Sequence, residues 1–138
     1  MAKLYPSWIE IPANNLERAI QFYRAVFDLD EIPVYDDFPP ARIAVLLPSD
    51  KSVQNPGVSL VQSPTHVPGR HGALINFHLG NHAALEHAVA MALTNAGSIA
   101  EPLVDDGDGV RYLVLLDSEG NALALSSYEP VEEESPEA

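Results

Sequence analysis

One order of elements, β-α-β-β-β, is written twice along this chain, and that repetition limits the fold more than any other feature. Residues 8–11 alternate as a strand does, with Ile9 and Ile11 on one side and Trp8 and Glu10 on the other. A helix is predicted over 16–28, because Leu16, Ala19, Ile20, Tyr23, Val26 and Phe27 recur at i, i+3, i+4, i+7 spacing. Asn14, three residues before Glu17, has capping-box spacing. Three β-like runs follow, at 31–35, 42–47 and 58–62. Pro39-Pro40 separates the first two, since neither proline can donate to a ladder, and Asn55-Pro56-Gly57 signals a turn before the third.

The order restarts at 74–79, where Ile75, Phe77 and Leu79 alternate with Leu74, Asn76 and His78. A second amphipathic helix is predicted over 83–95, with Leu85, Ala88, Val89, Ala92, Leu93 and Ala96 on one face. Asn81 is placed to cap it and Gly97 to close it in a left-handed conformation. Strands at 98–103, Val110–Leu116 and 122–127 complete the unit. The last two flank Asp117-Ser118-Glu119-Gly120-Asn121, a hairpin-turn composition. Leu16-Glu17-Arg18-Ala19-Ile20 and Leu85-Glu86-His87-Ala88-Val89 also echo each other. The chain therefore reads as α+β. One domain spans 1–128, with module one at 4–62, a polar, proline-containing linker at 63–70 and module two at 71–128. Each sheet has an apolar face for its helix. Two such sheets side by side, helices outside, would curl their polar faces around a cleft as an incomplete barrel.

A chain of 138 residues can bury one real core. It has no cysteine, so disulfides, thiolate nucleophiles and thiolate metal sites are ruled out, and a cytoplasmic location is expected. No signal-peptide pattern is seen, and no apolar run reaches the roughly 18 residues of a membrane span. The net charge is −13, and removing Glu129, Glu132, Glu133, Glu134 and Glu137 still leaves −8 on the body. Such a surface repels nucleic acid and attracts cations. Residues 129–138 carry too little apolar surface to order themselves and are expected to form a disordered tail.

Trp8-Ile9-Glu10-Ile11-Pro12, followed by Asn15-Leu16-Glu17-Arg18-Ala19 and Phe22-Tyr23, resembles the opening of glyoxalase/bleomycin-resistance (vicinal oxygen chelate) proteins. There a strand leads into a D-L-x-R-A-x-x-F-Y helix; Asn15 stands where Asp is more usual. Leu116-Asp117-Ser118-Glu119-Gly120-Asn121 is similar to that family's D-x-[DE]-G-N turn. The resemblance covers nearly all of 4–128. It implies paired βαβββ modules, a homodimer, and, in the family's metal-dependent enzymes, a divalent ion held by His, Gln or Glu from the first and fourth strands of each module. Those positions fall here on Trp8, Ser59, Leu74 and Ala124. Indole and aliphatic groups cannot ligate such an ion and a neutral serine is a poor ligand, so no metal cofactor is expected at that site.

Strand alternation from these positions places Glu10, Val61, Asn76, His78, Ser126 and Tyr128 in the cleft, with Arg42 reaching in from the third strand. Trp8, Arg42, Ser59, Asn76, Ser126 and Tyr128 are the candidate ligand contacts, Trp8 as a stacking platform or else a core filler. Glu10 and His78 are the candidate catalytic pair, for proton transfer or a relocated metal, if the first strands of the two modules meet. The competing reading leaves Glu10 solvated and His78 bonded to a neighbour. His66, His71, His82 and His87 share no metal-site spacing and read as surface residues. The leading function is a metal-independent small-molecule-binding protein that sequesters a drug or metabolite. The alternatives are a glyoxalase-related lyase or isomerase using Glu10 and His78 or a displaced divalent metal, and a subunit or regulatory module with an empty cleft, which a closed, side-chain-filled pocket would favour.

Overall fold

The computed structural model of the chain describes residues 4, 6–47 and 57–132. Most of the turn before the fourth strand of module one, and residues 133–138 of the expected tail, lie outside them. Module one runs β1 (Trp8–Pro12), α1 (Leu16–Phe27), β2 (Val34–Phe38), β3 (Ala41–Leu46) and β4 (Gly57–Gln62). Module two runs β5 (Ile75–His78), α2 (His82–Thr94), β6 (Ser98–Asp105), β7 (Val110–Leu116) and β8 (Ala122–Tyr128). The strand orders are β1-β4-β3-β2 and β5-β8-β7-β6. Within each sheet the first and last strands pair in parallel and the other neighbours are antiparallel. The α+β fold of two βαβββ modules is thus as the sequence implied.

Local chemistry corrects several boundaries. Asn15, not Asn14, caps α1, its side chain accepting from the Arg18 N–H. Asn81 caps α2 as expected, accepting from the Ala84 N–H. The left-handed residue after α2 is Ala96, with φ 69°, and not Gly97. Glycine at 97 answers to space instead, because a Cβ there would press on the Phe22 ring and the Ala92 carbonyl. β2 begins only after Pro33, whose carbonyl accepts from the Val45 N–H, and it extends to Phe38, opposite Ala41. β6 runs on through Pro102 to Asp105, with register shifts between Ile99 and Val104. An edge strand tolerates the missing N–H of a proline there.

The helices do not lie outside. α1 packs against α2, and one core joins Leu16, Phe22, Tyr23 and Ala88 to Ile11 and Leu60 of sheet one and Leu113, Leu115 and Leu125 of sheet two. Phe27 of α1 meets Phe77 of β5 with ring centroids 4.9 Å apart. The helix layer is therefore shared between the sheets. Each sheet turns its other face outward, and these outer faces carry the residues the sequence assigned to a cleft, Arg42 excepted.

A polar latch fixes the modules together. Tyr23 Oη donates to Asp117 Oδ2 at 2.6 Å, both groups buried. Asp117 Oδ1 accepts the N–H groups of Glu119 and Asn121 and so shapes its own turn. Asn121 Nδ2 donates to the Pro12 carbonyl at 2.8 Å, and its Oδ1 accepts the Gly69 N–H. Glu119 reaches the start of α1, accepting from the N–H groups of Asn14 and Asn15 and from Arg18 Nε at 2.7 Å. A carboxylate suits a helix N-terminus. Burial pushes the Glu119 carboxyl up, but hydrogen bonds from Arg18, Asn15 and Ser118 outweigh it and hold its pKa below the ordinary value.

Candidate functional site on the outer sheet faces

Strand alternation places Trp8 and Glu10 on the outer face of β1, because Ile9 and Ile11 pack on the core side. The parallel ladder sets Gly57 beside Trp8 and Ser59 beside Glu10. Trp8 is half exposed, yet it is not loose. Its Nε1–H donates to Ser59 Oγ at 3.1 Å, and Ser59 is wholly buried. The indole lies so close to Gly57 that a Cβ there would collide with carbons of its six-membered ring. A glycine seat below and a hydrogen bond at the edge hold one indole face toward solvent.

Glu10 takes a partner the sequence did not suggest. His66 Nε2 lies 2.7 Å from Glu10 Oε2, and His66 Nδ1 lies 2.8 Å from Ser63 Oγ. His66, read as a surface residue, thus pins the linker across the edge of sheet one. Among the described residues, no hydrogen bond or ion pair joins Glu10 to His78. Arg42 does not reach the outer face. It sits on the helix side, where it pairs with Glu17 at 2.7 Å and Asp36 at 2.8 Å. β3 alternation explains this, since Ala44 and Leu46 of the same face pack in the core.

On module two the outer face carries Asn76, His78, Ala124, Ser126 and Tyr128, joined by Tyr112 from β7. Ser126 Oγ donates to Asn76 Oδ1 at 3.1 Å. Asn76, His78, Tyr112 and Tyr128 are exposed. Val61 belongs to the outer face of module one but is almost fully buried. His82, expected at the surface, is tucked against Ser127 Oγ at 2.7 Å and stands 3.3 Å from Glu129. The sequence carried the signal for one missed feature: Gly57 and Ser59 are two apart, on the strand that a βαβββ order pairs with β1.

The residues at the implied metal positions do not fit a metal. The Trp8 indole nitrogen is a donor without a lone pair to give, and its hydrogen already occupies Ser59. Leu74 lies before the start of β5, half exposed, and Ala124 stands opposite Asn76. Neither offers a donor atom. Among the described residues, no three His, Asp or Glu side chains of one chain cluster as a metal site would require. No helix among them is long and apolar enough to cross a membrane.

The family model described as glyoxalase/bleomycin resistance protein/dioxygenase superfamily matches residues 6–125. Among solved structures, a glyoxalase/bleomycin resistance protein from Albidiferax ferrireducens T118 is 15% identical with a TM-score of 0.67, covering 89% of this chain and 98% of its own. A glyoxylase/bleomycin resistance protein/dioxygenase domain from Frankia sp. EAN1pec is 13% identical with a TM-score of 0.71, covering 93% and 94%. The fosfomycin resistance protein FosX from Mesorhizobium loti is 18% identical with a TM-score of 0.63, covering 91% and 90%. At these identities the likeness is one of fold. A search of curated proteins finds no match.

Proposed function

Since the chain belongs to the glyoxalase/bleomycin resistance protein/dioxygenase superfamily, we propose that it binds a small planar, cation-bearing molecule without a metal, on the outer face of module one. The observation that carries this reading is the Trp8 platform: a half-exposed indole fixed by Ser59 and Gly57, with Glu10 one rung along. A rigid aromatic face attracts a flat cation through its quadrupole and loses little entropy on binding. The acidic body favours the same charge.

One face is half of a cleft. The other half in this reading is the outer face of module two from a second copy, with Asn76, His78, Ser126 and Tyr128 as its contacts. Exposed apolar groups support a homodimer. Val34, Tyr35 and Phe38 lie on the edge strand of sheet one, and Ile99, Leu103 and Val104 on that of sheet two. Edges of this kind are usually covered. Across such a dimer Glu10 of one copy would face His78 of the other, which is where the alternative lyase or isomerase reading would have to find its acid and base.

Trp8 is the only tryptophan, so its emission reports on the platform directly. Titration with 1-methylnicotinamide (nicotinamide methylated at the ring nitrogen, a pyridinium cation) is expected to quench it saturably, and nicotinate, which carries a negative charge on the pyridine ring, to bind far more weakly. Equal quenching by both, or linear collisional quenching by both, would remove the reading. Sedimentation of the protein at micromolar concentration tests the second copy; a monomer there would leave the cleft half built.

A further inference from the structure

We propose that the seam between the two sheets is a second binding site, beside the Trp8 face and sharing only Glu10 with it, for an amine carried on an apolar body. β1 and β5 are both edge strands, and their free edges flank a cavity of about 460 Å³. That volume is within the range of roughly 300–1,000 Å³ typical of small-molecule pockets. Ile9, Ile11, Ile75 and Leu123 supply apolar walls, and Tyr23 also lines it. Val67, Gly69 and His71 of the inter-module segment form the remaining side.

The polar groups of this cavity say what it takes. Tyr23 and Asn121 both line it, but the Tyr23 hydroxyl is spent on Asp117, and Asn121 is spent on Pro12, Asp117 and Gly69. A ligand body there finds these two buried side chains already partnered, and its apolar part rests on the aliphatic walls, while His71 and the free strand edges remain open to polar atoms at its margin. Among the described residues, Glu10 is the one carboxylate lining the cavity, and no Lys or Arg lines it. His66 engages Oε2 of Glu10; among the described residues no partner takes Oε1. An ammonium group at the rim answers this charge, and a carboxylate does not. The segment pinned by His66 crosses the cavity, so the same contact that holds the segment also places the anion.

The experiment is an NMR titration of the full chain with 1-naphthylmethylamine, with 1-naphthaleneacetate as the anionic control. Saturable shifts are expected in β1, in 67–73 and in 121–123 with the amine only. Trp8→Ala, which removes the other platform, should leave this binding within about twofold. Ala73→Trp should abolish it by filling the mouth. Val67→Trp, on the linking segment rather than beside a strand, provides a second blockade should the first variant fold poorly. Glu10→Gln should weaken the amine by roughly two- to fivefold, as fits a partly exposed charge pair. Shifts that follow Trp8, equal binding of the anion, or unaltered binding in a folded blocking variant would each overturn the proposal. Because Trp8→Ala separates the two sites, failure here leaves the Trp8 reading standing, and the converse holds.

Discussion

Tyr23→Phe deletes one oxygen from the latch between the modules and should be costly for its size. The hydroxyl is buried, and its partner Asp117 is 3% exposed. Without it the carboxylate keeps three donors, the Asn121 side chain and the N–H groups of Glu119 and Asn121, but water has little access to replace the fourth. A hydrogen bond to a charged group contributes about 1.5–3 kcal/mol. The ring still fills its space, so no cavity term is added. For a domain of this size that loss lowers the melting temperature by roughly 5–12 °C. Thermal and urea unfolding followed by circular dichroism measure it. A double-mutant cycle with Asp117→Asn should then return a coupling of at least about 1 kcal/mol. A Tyr23→Phe protein within about 0.5 kcal/mol of the parent would refute the assignment of this contact as the tie between modules.

Other outcomes follow from the same contacts. Glu119 has a folded pKa below its unfolded value, so its contribution is present above about pH 4.3 and is lost as pH falls through the folded value. Glu119→Gln should flatten the acid limb of a stability–pH profile, and an unchanged limb would count against the role given to Arg18 and Asn15. Tyr23 is pushed up first by burial and then by the Asp117 charge, so stability should fall as pH rises above about 10, and less so in Tyr23→Phe. Gly57→Ala should displace the indole, shift Trp8 emission and weaken 1-methylnicotinamide by roughly three- to tenfold, with little change in far-UV circular dichroism. Arg42→Ala should leave that binding within twofold, because its guanidinium is engaged on the helix side.

The fold was legible because it rests on periodicity. The α1 stripe from Leu16 to Phe27, the β1 alternation and the duplicated order each reflect a local rule, and the helices and strands stand close to where those rules put them. What the pattern did not contain was how two modules pack. Ile9 and Ile11 announce that one face of β1 is buried, but not whether a helix of the same module alone, or both helices together, covers it. The latch is the instructive case. Asp117 to Asn121 reads as a turn from its composition, and it is one. Glu119 and Asn121 also reach across more than 100 residues to Asn15 and Pro12, a distance no local rule spans. Arg42 was misplaced because a third-strand position was assigned without its alternation with Ala44. His66 was missed because a linker has no period to read. Trp8, Glu10 and Ser59 were legible as a group, since a parallel β1–β4 pair places them on one face.

The proposed recognition proceeds by an aromatic face and a carboxylate, without a chelated ion. Its most direct test is a calorimetric titration of chelator-treated, metal-stripped protein with 1-methylnicotinamide, repeated after incubation with Mn²⁺. The same affinity and stoichiometry in both preparations is the predicted result, with Trp8→Ala abolishing the heat signal in each. Binding that appears only once the divalent ion is restored, with metal retained in stoichiometric amount, would contradict it.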